Sequence, residues 1–367
     1  MKVSDFAFDL PHELIAQHPP AERGTSRLLV LERATGRVTH ASIGDLPRWL
    51  RAGDLLVLNN TRVFPARLIG ERAPGGGAVE VMLVSRLEDE GRWEALVHPG
   101  QRMKPGRRVR FERGGRVLHG EVLAQRFFGR REVRLWSDEA CPVMDVIEAI
   151  GHIPLPPYIK RPDEAADRDR YQTVFARETG SIAAPTAGLH FTDELLARLD
   201  AAGVERVEIT LHVGYGTFKP VRVEDVEDHR VDPERYSISA DAAARLNAAF
   251  ASRRRVVVVG TTTTRALEAA VASCGAATPG SSAKAGSAGQ AGCASVTAGT
   301  AETDLFIRPG HQFRAVGALV TNFHLPASSL LMLVAAFGGH DAVMAAYAEA
   351  VRERYRFYSY GDAMLII

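Results

Sequence analysis

RRRVVVVGTTTTRALEAA, residues 253–270, contains the pattern that decides the fold class. A run of four valines is typical of a strand that is buried on both faces, as in parallel sheets. Gly260 then makes a turn, threonines cap the next segment, and a helix begins. This order indicates an α/β protein. The backbone N–H groups and hydroxyls after the turn could bind a polar ligand, and Thr262 is our candidate there. The lysine-containing pattern of a P-loop is missing.

A second loop before a helix reads GSIAAPTAGLHFT, residues 180–192. Thr186 and Gly188 lie in a run of small residues where the backbone can approach a ligand, and His190 follows at once. Thr192 is predicted to cap a helix that starts at Asp193. The alternative interpretation is a Gly/Pro loop with a surface histidine.

Two more histidines follow predicted strands. In the strand that contains Val207 and Ile209, the alternation places His212 on the opposite face from the apolar residues. The strand VGALVT runs into a polar loop with Asn322, Phe323 and His324, and a helix is predicted to open near residues 328 and 329. This repeats the order of strand, histidine loop and helix.

Other polar residues are candidates for ligand binding or proton transfer. GDLLVLNNTR is an apolar strand that ends in Asn60 and Arg62, and open α/β sheets often place ligand groups at such ends. An ordinary Asn-Asn turn is the alternative. Glu234 lies in the polar stretch VEDHRVDPERYSIS, which contains residue types that can act as acids and bases in proton transfer. The alternative is that these charged residues are simply exposed to solvent.

Because His190, His212 and His324 each follow an α/β element, we expect them to share a pocket. The sequence lacks a GxSxG elbow, a metal triad, a Walker loop and a Rossmann glycine pattern, which argues against the commonest hydrolases, NTPases and dehydrogenases. Acid-base chemistry on an organic substrate remains.

Between residues 63 and 136 the pattern changes to six short β-type runs separated by glycine turns. The runs predict a small antiparallel barrel inserted into the α/β domain. We therefore assign residues 1–62 and 150–367 to the α/β domain and 63–149 to the insertion. The Ala/Gly/Ser-rich segment 273–303 is predicted to be a flexible surface loop.

Positive charge is concentrated in this barrel. Residues 101–134 contain eleven Lys or Arg residues against three Glu residues. Clustered arginine is typical of phosphate contacts, although a solvated charged face is the alternative. The candidates for binding a nucleic acid are Lys104, Arg107, Arg108, Arg110, Arg113 and Arg116.

Composition sets outer limits on these interpretations. The 367 residues are 46% hydrophobic and 24% charged, with a net charge of +1, as expected for a globular protein of about two domains. The amino-terminal residues do not resemble a signal peptide, no apolar run is long enough to span a membrane, and we expect a cytoplasmic protein. Three distant cysteines predict neither a disulfide framework nor a metal site.

Several blocks together resemble the S-adenosylmethionine:tRNA ribosyltransferase-isomerases of queuosine biosynthesis. The resemblance covers nearly the whole chain, in order, although GTTTTRALE departs from the family's serine/valine version and segment 273–303 is longer than usual. The blocks are LLVLNNTRVFPARL, GHIPLPPYI, RYQTVFA, AAPTAGLHFT, TLHVGYGTFKPV, GTTTTRALE, LFIRPGH, TNFHLPASSLLMLVAAF and FYSYGDAML.

The resemblance implies a larger α/β barrel-like domain with an inserted antiparallel β-barrel. It also implies a transferase that moves the ribosyl part of S-adenosylmethionine onto 7-aminomethyl-7-deazaguanine in tRNA, giving epoxyqueuosine and releasing adenine and methionine. S-adenosylmethionine is then a consumed substrate, no cofactor is needed, and the enzyme is a monomer that binds tRNA and has no membrane contact.

The resemblance also suggests roles for residues. His190, His212 and His324 would supply acid-base or base-orienting groups, and Glu234 is a weaker catalytic candidate. Candidates for the wall of a sulfonium site are Tyr215, Phe323 and Glu234. The substrate-binding candidates are Asn60, Arg62, Thr186, Gly188, Tyr215, Thr262, Asn322 and Phe323. Two other classes stay open, namely an RNA-binding protein without catalysis and a metal-free nucleosidase that acts without tRNA.

Overall fold

The computed structural model describes residues 1–87, 91–214, 216, 220–275 and 294–367. The chain forms two compact units. The larger unit contains residues 1–61, 173–178 and 185–367, and the smaller contains 62–172 and 179–184. The smaller unit is therefore inserted into the chain of the larger one, and it extends beyond the segment 63–149 that the sequence indicated.

Strands and helices are numbered in chain order. The strands are β1 (Arg27–Leu31), β2 (Val38–Ser42), β3 (Leu55–Asn59), β4 (Thr61–Val63), β5 (Arg67–Ala73), β6 (Ala78–Arg86), β7 (Arg92–His98), β8 (Arg108–Arg113), β9 (Arg116–Gln125), β10 (Arg130–Trp136), β11 (Glu178–Ser181), β12 (Glu205–Leu211), β13 (Glu234–Ile238), β14 (Val256–Val259), β15 (Gly299–Thr303), β16 (Ala318–Asn322) and β17 (Ala363–Ile366). The α-helices are α1 (Val143–Ile150), α2 (Asp167–Arg170), α3 (Asp193–Ala201), α4 (Ala240–Ala251), α5 (Thr261–Gly275), α6 (Ser329–Gly338) and α7 (His340–Arg352).

The larger unit is built on a mixed sheet with strand order β15-β13-β12-β3-β14-β16-β17-β1-β2. Its neighbouring strands β12, β3, β14 and β16 are parallel. The carboxyl ends of these four strands therefore meet at one edge of the sheet. The α/β class predicted from the sequence is confirmed.

The central strands are buried along their whole length, as the valine run predicts. Every residue of β3, β14 and β16 is buried. Leu195, Leu196 and Leu199 of α3 pack with Val257 and Val259 of β14, while α5 also packs against this strand. Because successive strand residues point to opposite faces, four buried valines require cover on both sides of the sheet.

The smaller unit contains a closed antiparallel barrel with strand order β10-β7-β6-β5-β8-β9. These strands correspond to the six β-type runs of the sequence, so the inserted barrel is also confirmed. Alternate residues fill the interior, as in β7, where Trp93, Ala95 and Val97 are buried. The residues between them point outward, which places most of the basic side chains on the outer surface.

Some local predictions are wrong. The polar stretch 226–239 contains β13, which pairs with β15 inside the segment predicted to be a flexible loop. At the other end of that segment α5 continues to Gly275, and residues 276–293 lie outside the described residues.

Within the described ranges, no single helix is long and apolar enough to cross a membrane. Helices α6 and α7 pass that test only as a pair, by length and composition, and they are bent by 116°.

Candidate active site

The carboxyl edge of the four parallel strands collects many of the predicted site residues. The strands end at matching levels, since Asn59 of β3 pairs with Ile209 of β12 and Val259 of β14 pairs with Val320 of β16. Open α/β sheets bind ligands at this edge. Asn60, His212, Thr262, Asn322 and His324 all lie on it or directly after it.

Two elements meet at the middle of this edge. Gly260 turns the chain from β14 into α5 with a φ of +94°, a conformation that favours glycine. A Cβ on Gly260 would lie 3.8 Å from the Cβ of Ala187 and 3.8 Å from Oγ1 of Thr262. The 3-10 turn Thr186–His190 therefore lies beside the start of α5, and it delivers His190 to the same edge.

His190 is buried and held on both ring nitrogens. Its Nδ1 lies 2.9 Å from Oγ of Ser26, and its Nε2 lies 3.1 Å from Nδ2 of Asn322. Nδ2 of Asn322 also donates to the carbonyl oxygen of Tyr358, at 3.1 Å. This second bond fixes the orientation of the amide, so Nε2 of His190 is an acceptor and Nδ1 carries the proton.

The other end of the Asn322 amide is unusual. Among the described residues, Oδ1 of Asn322 is buried and has no hydrogen-bond partner. A buried acceptor without a partner costs about 1–3 kcal/mol and calls for an explanation. Tyr358, which binds the same amide, has a φ of +74°, which is strained for a bulky side chain. Strain and an unpaired acceptor together mark this place as a candidate ligand site.

His324 follows Asn322 and is also buried. Its Nε2 lies 2.9 Å from Oγ1 of Thr321, and its backbone N–H donates to the hydroxyl of Tyr347 at 3.1 Å. The Thr321 hydroxyl lies 3.3 Å from the carbonyl oxygen of Asn322, to which it can only donate. Its oxygen then accepts the proton of Nε2, which leaves the lone pair of His324 on Nδ1.

Burial keeps both imidazoles neutral at physiological pH. Burial lowers the pKa of His190 to about 4, and the positive charges of Arg356 and Arg23 act in the same direction. Burial lowers the pKa of His324 to about 3. A neutral imidazole offers one N–H donor and one acceptor, so these rings can bind or accept a proton but hold almost no imidazolium at pH 7.

His212 lies at the end of β12, separated from β16 by β3 and β14. Three strand spacings correspond to about 14 Å, so His212 does not join the pair formed by His190 and His324. Its Nδ1 lies 2.8 Å from Oγ1 of Thr61, whose hydroxyl points to the carbonyl oxygen of Glu178 at 3.4 Å. Burial lowers the pKa of His212, helped by Arg235 and opposed by Glu178. Only an elongated ligand along the edge can reach all three rings.

Glu234 is buried, in contrast to the exposed charge that the sequence also allowed. Its Oε2 accepts from Nη1 of Arg265 at 2.7 Å, and its Oε1 accepts from the backbone N–H of Gly214 at 2.9 Å. Both side chains of the ion pair are less than a tenth exposed. The carboxylate therefore anchors the segment after β12, and its charge is balanced by Arg265.

The remaining predicted substrate-binding residues lie in different surroundings. Oδ1 of Asn60 accepts from the hydroxyl of Thr210 at 2.7 Å. Thr186 is partly buried at the start of its turn, and Arg62 is exposed and belongs to the smaller unit. Tyr215 lies outside the described residues.

Two of the predicted residues have a packing explanation. A Cβ on Gly188 would lie 2.7 Å from Cγ2 of Thr173 and 2.8 Å from the ring of Phe175, so glycine is required by packing instead of ligand approach. Phe323 is fully buried, with its ring 5.3 Å from that of Tyr347 and 5.2 Å from that of Phe357. This aromatic core leaves no face of Phe323 open to a sulfonium.

The predicted phosphate-binding residues lie at both ends of β8. Lys104 and Arg107 are exposed before it, and Arg108 and Arg110 are exposed on its outer face. At the far end, Nη1 of Arg113 donates to the carbonyl oxygen of Gly151 at 3.3 Å.

Arg116 has a similar contact, because its Nη1 donates to the carbonyl oxygen of Asp145 in α1, at 3.2 Å. These two arginines are thus engaged by α1 and the residue after it. Near the start of β8, Nε of Arg108 lies 3.5 Å from Oε2 of Glu121 and Arg110 pairs with Glu112, while both arginines remain exposed.

Sequence reasoning missed several residues that position the site. Ser26 contacts His190, Thr61 contacts His212, Arg265 contacts Glu234, and the carbonyl of Tyr358 contacts Asn322. Thr61, Arg265 and Tyr358 lie in sequence blocks quoted above but were not singled out there, and Ser26 lies in no such block. Only their placement in the sheet reveals them. The polar character of Thr61 directly after Asn60 was the one available signal.

A polar cavity of about 580 Å³ lies beside β12 and meets the carboxyl edge of the sheet at Asn60. It is lined by residues that include Asn60, Arg177, Glu208, Thr210 and Arg245, but by none of the three predicted histidines. Arg177 and Glu208 form an ion pair across it. In the described part of the chain, no group of three or more His, Cys, Asp or Glu side chains could hold a metal ion.

The chain is similar to known proteins over nearly its whole length. A model of the family described as "Queuosine biosynthesis protein" matches residues 3–366. Similar proteins named S-adenosylmethionine:tRNA ribosyltransferase-isomerase come from Symbiobacterium thermophilum, at 50% identity, and Solibacter usitatus, at 49%, each with all of both chains covered. The crystal structure of an S-adenosylmethionine tRNA ribosyltransferase from Thermotoga maritima is 36% identical, covers 99% of this chain and 100% of its own, and superposes with a TM-score of 0.53.

Proposed function

Because the chain belongs to the queuosine biosynthesis protein family and is a transferase, we propose that it transfers and isomerises the ribosyl group of S-adenosylmethionine onto 7-aminomethyl-7-deazaguanine in tRNA. The products are epoxyqueuosine in tRNA, adenine and methionine. S-adenosylmethionine is consumed as a substrate, so the reaction needs no resident cofactor. We take the enzyme to be a cytoplasmic monomer.

The observation that carries the proposal is the unpaired Oδ1 of Asn322 beside the buried His190. Adenine has an exocyclic amine that donates hydrogen bonds, and an amide oxygen fixed in one orientation is suited to accept one. His190 orients the amide through Nε2, and Ser26 fixes the proton on Nδ1. His190 thus acts as a positioning residue for Asn322.

Proton transfer requires a group with an accessible lone pair. The reaction needs a base to remove the acidified proton beside the sulfonium and an acid to protonate the departing adenine. His212 is half-buried, and its contact with Thr61 leaves Nε2 as the acceptor. We assign His212 as the base, and we assign His324, through Nδ1, as a hydrogen-bond acceptor for the substrate. Neither His190 nor His324 holds enough imidazolium at neutral pH to act as the acid.

The carboxyl edge of the sheet is also long enough to bind the whole of S-adenosylmethionine. A nucleoside attached to an amino acid is elongated, and it can extend from Asn322 past the start of α5 to His212. Thr262 and Asn60 lie between these ends and are assigned to binding. Glu234, paired with Arg265, holds the segment after β12 in place.

The test follows the fate of the ribosyl group. The protein is incubated with ribosyl-labelled S-adenosylmethionine and tRNA that carries 7-aminomethyl-7-deazaguanine, and adenine and labelled tRNA are measured. We expect equal amounts of both, and none with tRNA that carries guanine at that position. The variant His212→Gln should lose about 100-fold or more in kcat, while His229→Gln, also partly buried but outside the edge, should keep wild-type turnover.

Three results contradict the proposal. Adenine release without tRNA would identify a nucleosidase, and tRNA binding without adenine release would identify an RNA-binding protein. Full turnover of His212→Gln would remove this residue from the mechanism.

A further inference from the structure

The tip of the hairpin between β9 and β10 presents an aromatic ring to solvent. Phe127 is 86% exposed, the highest value among the exposed large apolar residues of the described chain. It opens the 3-10 turn Phe127–Gly129. An exposed ring forgoes the stabilisation that burial would give it, and aromatic side chains are enriched in binding interfaces relative to the rest of the surface.

Hydrogen bonds close the tip of the hairpin. The backbone N–H of Arg126 donates to the carbonyl oxygen of Arg130 at 2.9 Å and closes the hairpin. Arg131 is buried, and its guanidinium donates to the carbonyl oxygens of Gly129, at 3.0 Å, and Arg130, at 3.1 Å. It also reaches the carbonyl oxygen of Gly100, at 3.2 Å. A fixed tip loses little conformational entropy when it binds.

Basic residues flank the tip in the sequence and occur on the neighbouring strand β7. The buried carboxylate of Glu132 is shared by Arg92 and Arg126, and Glu94 pairs with Arg130. Arg131 bonds to carbonyl groups, and no ion pair is found for it among the described residues. Among the described residues, these four guanidinium groups are thus accompanied by two carboxylates.

More cations lie on the segment that Arg131 holds against the tip. Arg102 and Lys104 are both exposed and flank Met103, whose carbonyl oxygen lies 3.4 Å from Nε of Arg131. An apolar ring with arginine and lysine nearby is complementary to an unpaired base between phosphates. If the partner were an apolar protein surface, these positive charges would have no role in binding.

We propose that Phe127 stacks on an unpaired base of the tRNA while the surrounding cations bind the adjacent phosphates. The inference rests on the proposed function for its partner and adds the docking element. RNA is recognised mainly at unpaired bases that stack on aromatic side chains. Loss of one such stack weakens binding by about 5- to 150-fold.

The experiment measures the Kd for tRNA of the full chain at several salt concentrations. Phe127→Ala should weaken binding by about 5- to 150-fold without a change in the salt slope, because no phosphate contact is lost. Phe127→Leu should bind tRNA as weakly as Phe127→Ala does. Phe127→Trp should bind with the wild-type Kd and show quenched indole fluorescence in the complex. The control Ile69→Ala, also exposed and on β5 of the same barrel, should leave the Kd unchanged.

Two results overturn the inference. One is an unchanged Kd for Phe127→Ala, and the other is wild-type binding by Phe127→Leu, which would indicate a contact that needs apolar bulk and no ring. The adenine-release assay distinguishes a failure of this inference from a failure of the proposed function. We expect Phe127→Ala to keep kcat with a raised KM for tRNA, whereas a wild-type protein that releases no adenine would contradict the proposed function whatever the Kd.

Discussion

At the scale of single residues, the site depends on how burial sets the state of two imidazoles. The pKa of His190 is about 4 and that of His324 is about 3, against an ordinary value of 6.5. Below pH 6.5 the unfolded chain binds protons that the folded chain does not. The free energy of unfolding therefore falls as the pH falls from 6.5 towards the folded pKa values.

The pH dependence of stability tests this assignment. At pH 5 the difference between the folded and unfolded pKa values lowers the free energy of unfolding by roughly 2 kcal/mol for each of the two rings. His190→Gln should therefore reduce the difference in the free energy of unfolding between pH 7.5 and pH 5 by about that amount, as measured by urea denaturation. A variant with the full wild-type difference would show that His190 titrates normally in the folded protein.

At the scale of elements, the turn Thr186–His190 connects packing to the site. Gly188 has no space for a Cβ, because Thr173 and Phe175 lie within 2.8 Å of its position. The turn is thus fixed against residues 173–175 of the same unit, and His190 is fixed at its end. Displacement of the turn should displace the ring.

We predict that Gly188→Ala lowers the free energy of unfolding by about 1–3 kcal/mol, as overpacking does, and reduces adenine release. Gly44→Ala is the matched control, because its nearest neighbour is Oγ of Ser42 at an ordinary 3.4 Å. Thermal unfolding and turnover of both variants provide the check. Equal stability and turnover of Gly188→Ala and the wild type would mean that the turn tolerates movement.

The sequence predicted elements whose pattern is local and missed those that depend on pairing. The valines of β14 and the Thr192 cap of α3, which accepts from Leu195 N–H at 3.1 Å, were readable because the residues themselves specify the structure. β15 consists of small and polar residues and is a strand because β13 lies beside it. No window around residues 299–303 contains that information.

The same distinction applies to the site. His190 and His324 were found because a histidine in a loop before a predicted helix is a local signal. His190 contacts Asn322 and His324 contacts Thr321, which are the last two residues of β16, so both rings lie at one sheet edge. The distance of His212 from them depends on the strand order, which places β3 and β14 between β12 and β16. Phe323 was expected at a ligand, but its position in the aromatic core follows from helix α7 and residues 355–357, which are distant in sequence.

At the scale of the whole molecule, the proposed chemistry and the proposed docking belong to separate parts of the chain. The larger unit carries the three histidines and Asn322 on one sheet edge, and the smaller unit carries the Phe127 tip and the exposed cations. The described residues of the larger unit also contain the polar cavity beside β12, which offers a second place for a small ligand. The location of S-adenosylmethionine therefore decides the account.

The most direct measurement is a crystal structure of the full chain with bound S-adenosylmethionine. We predict that the ligand lies along the carboxyl edge of β12, β3, β14 and β16, with a donor group within hydrogen-bond distance of Oδ1 of Asn322 and its far end towards His212. A ligand in the cavity beside β12, with Oδ1 of Asn322 still unpaired, would contradict the account.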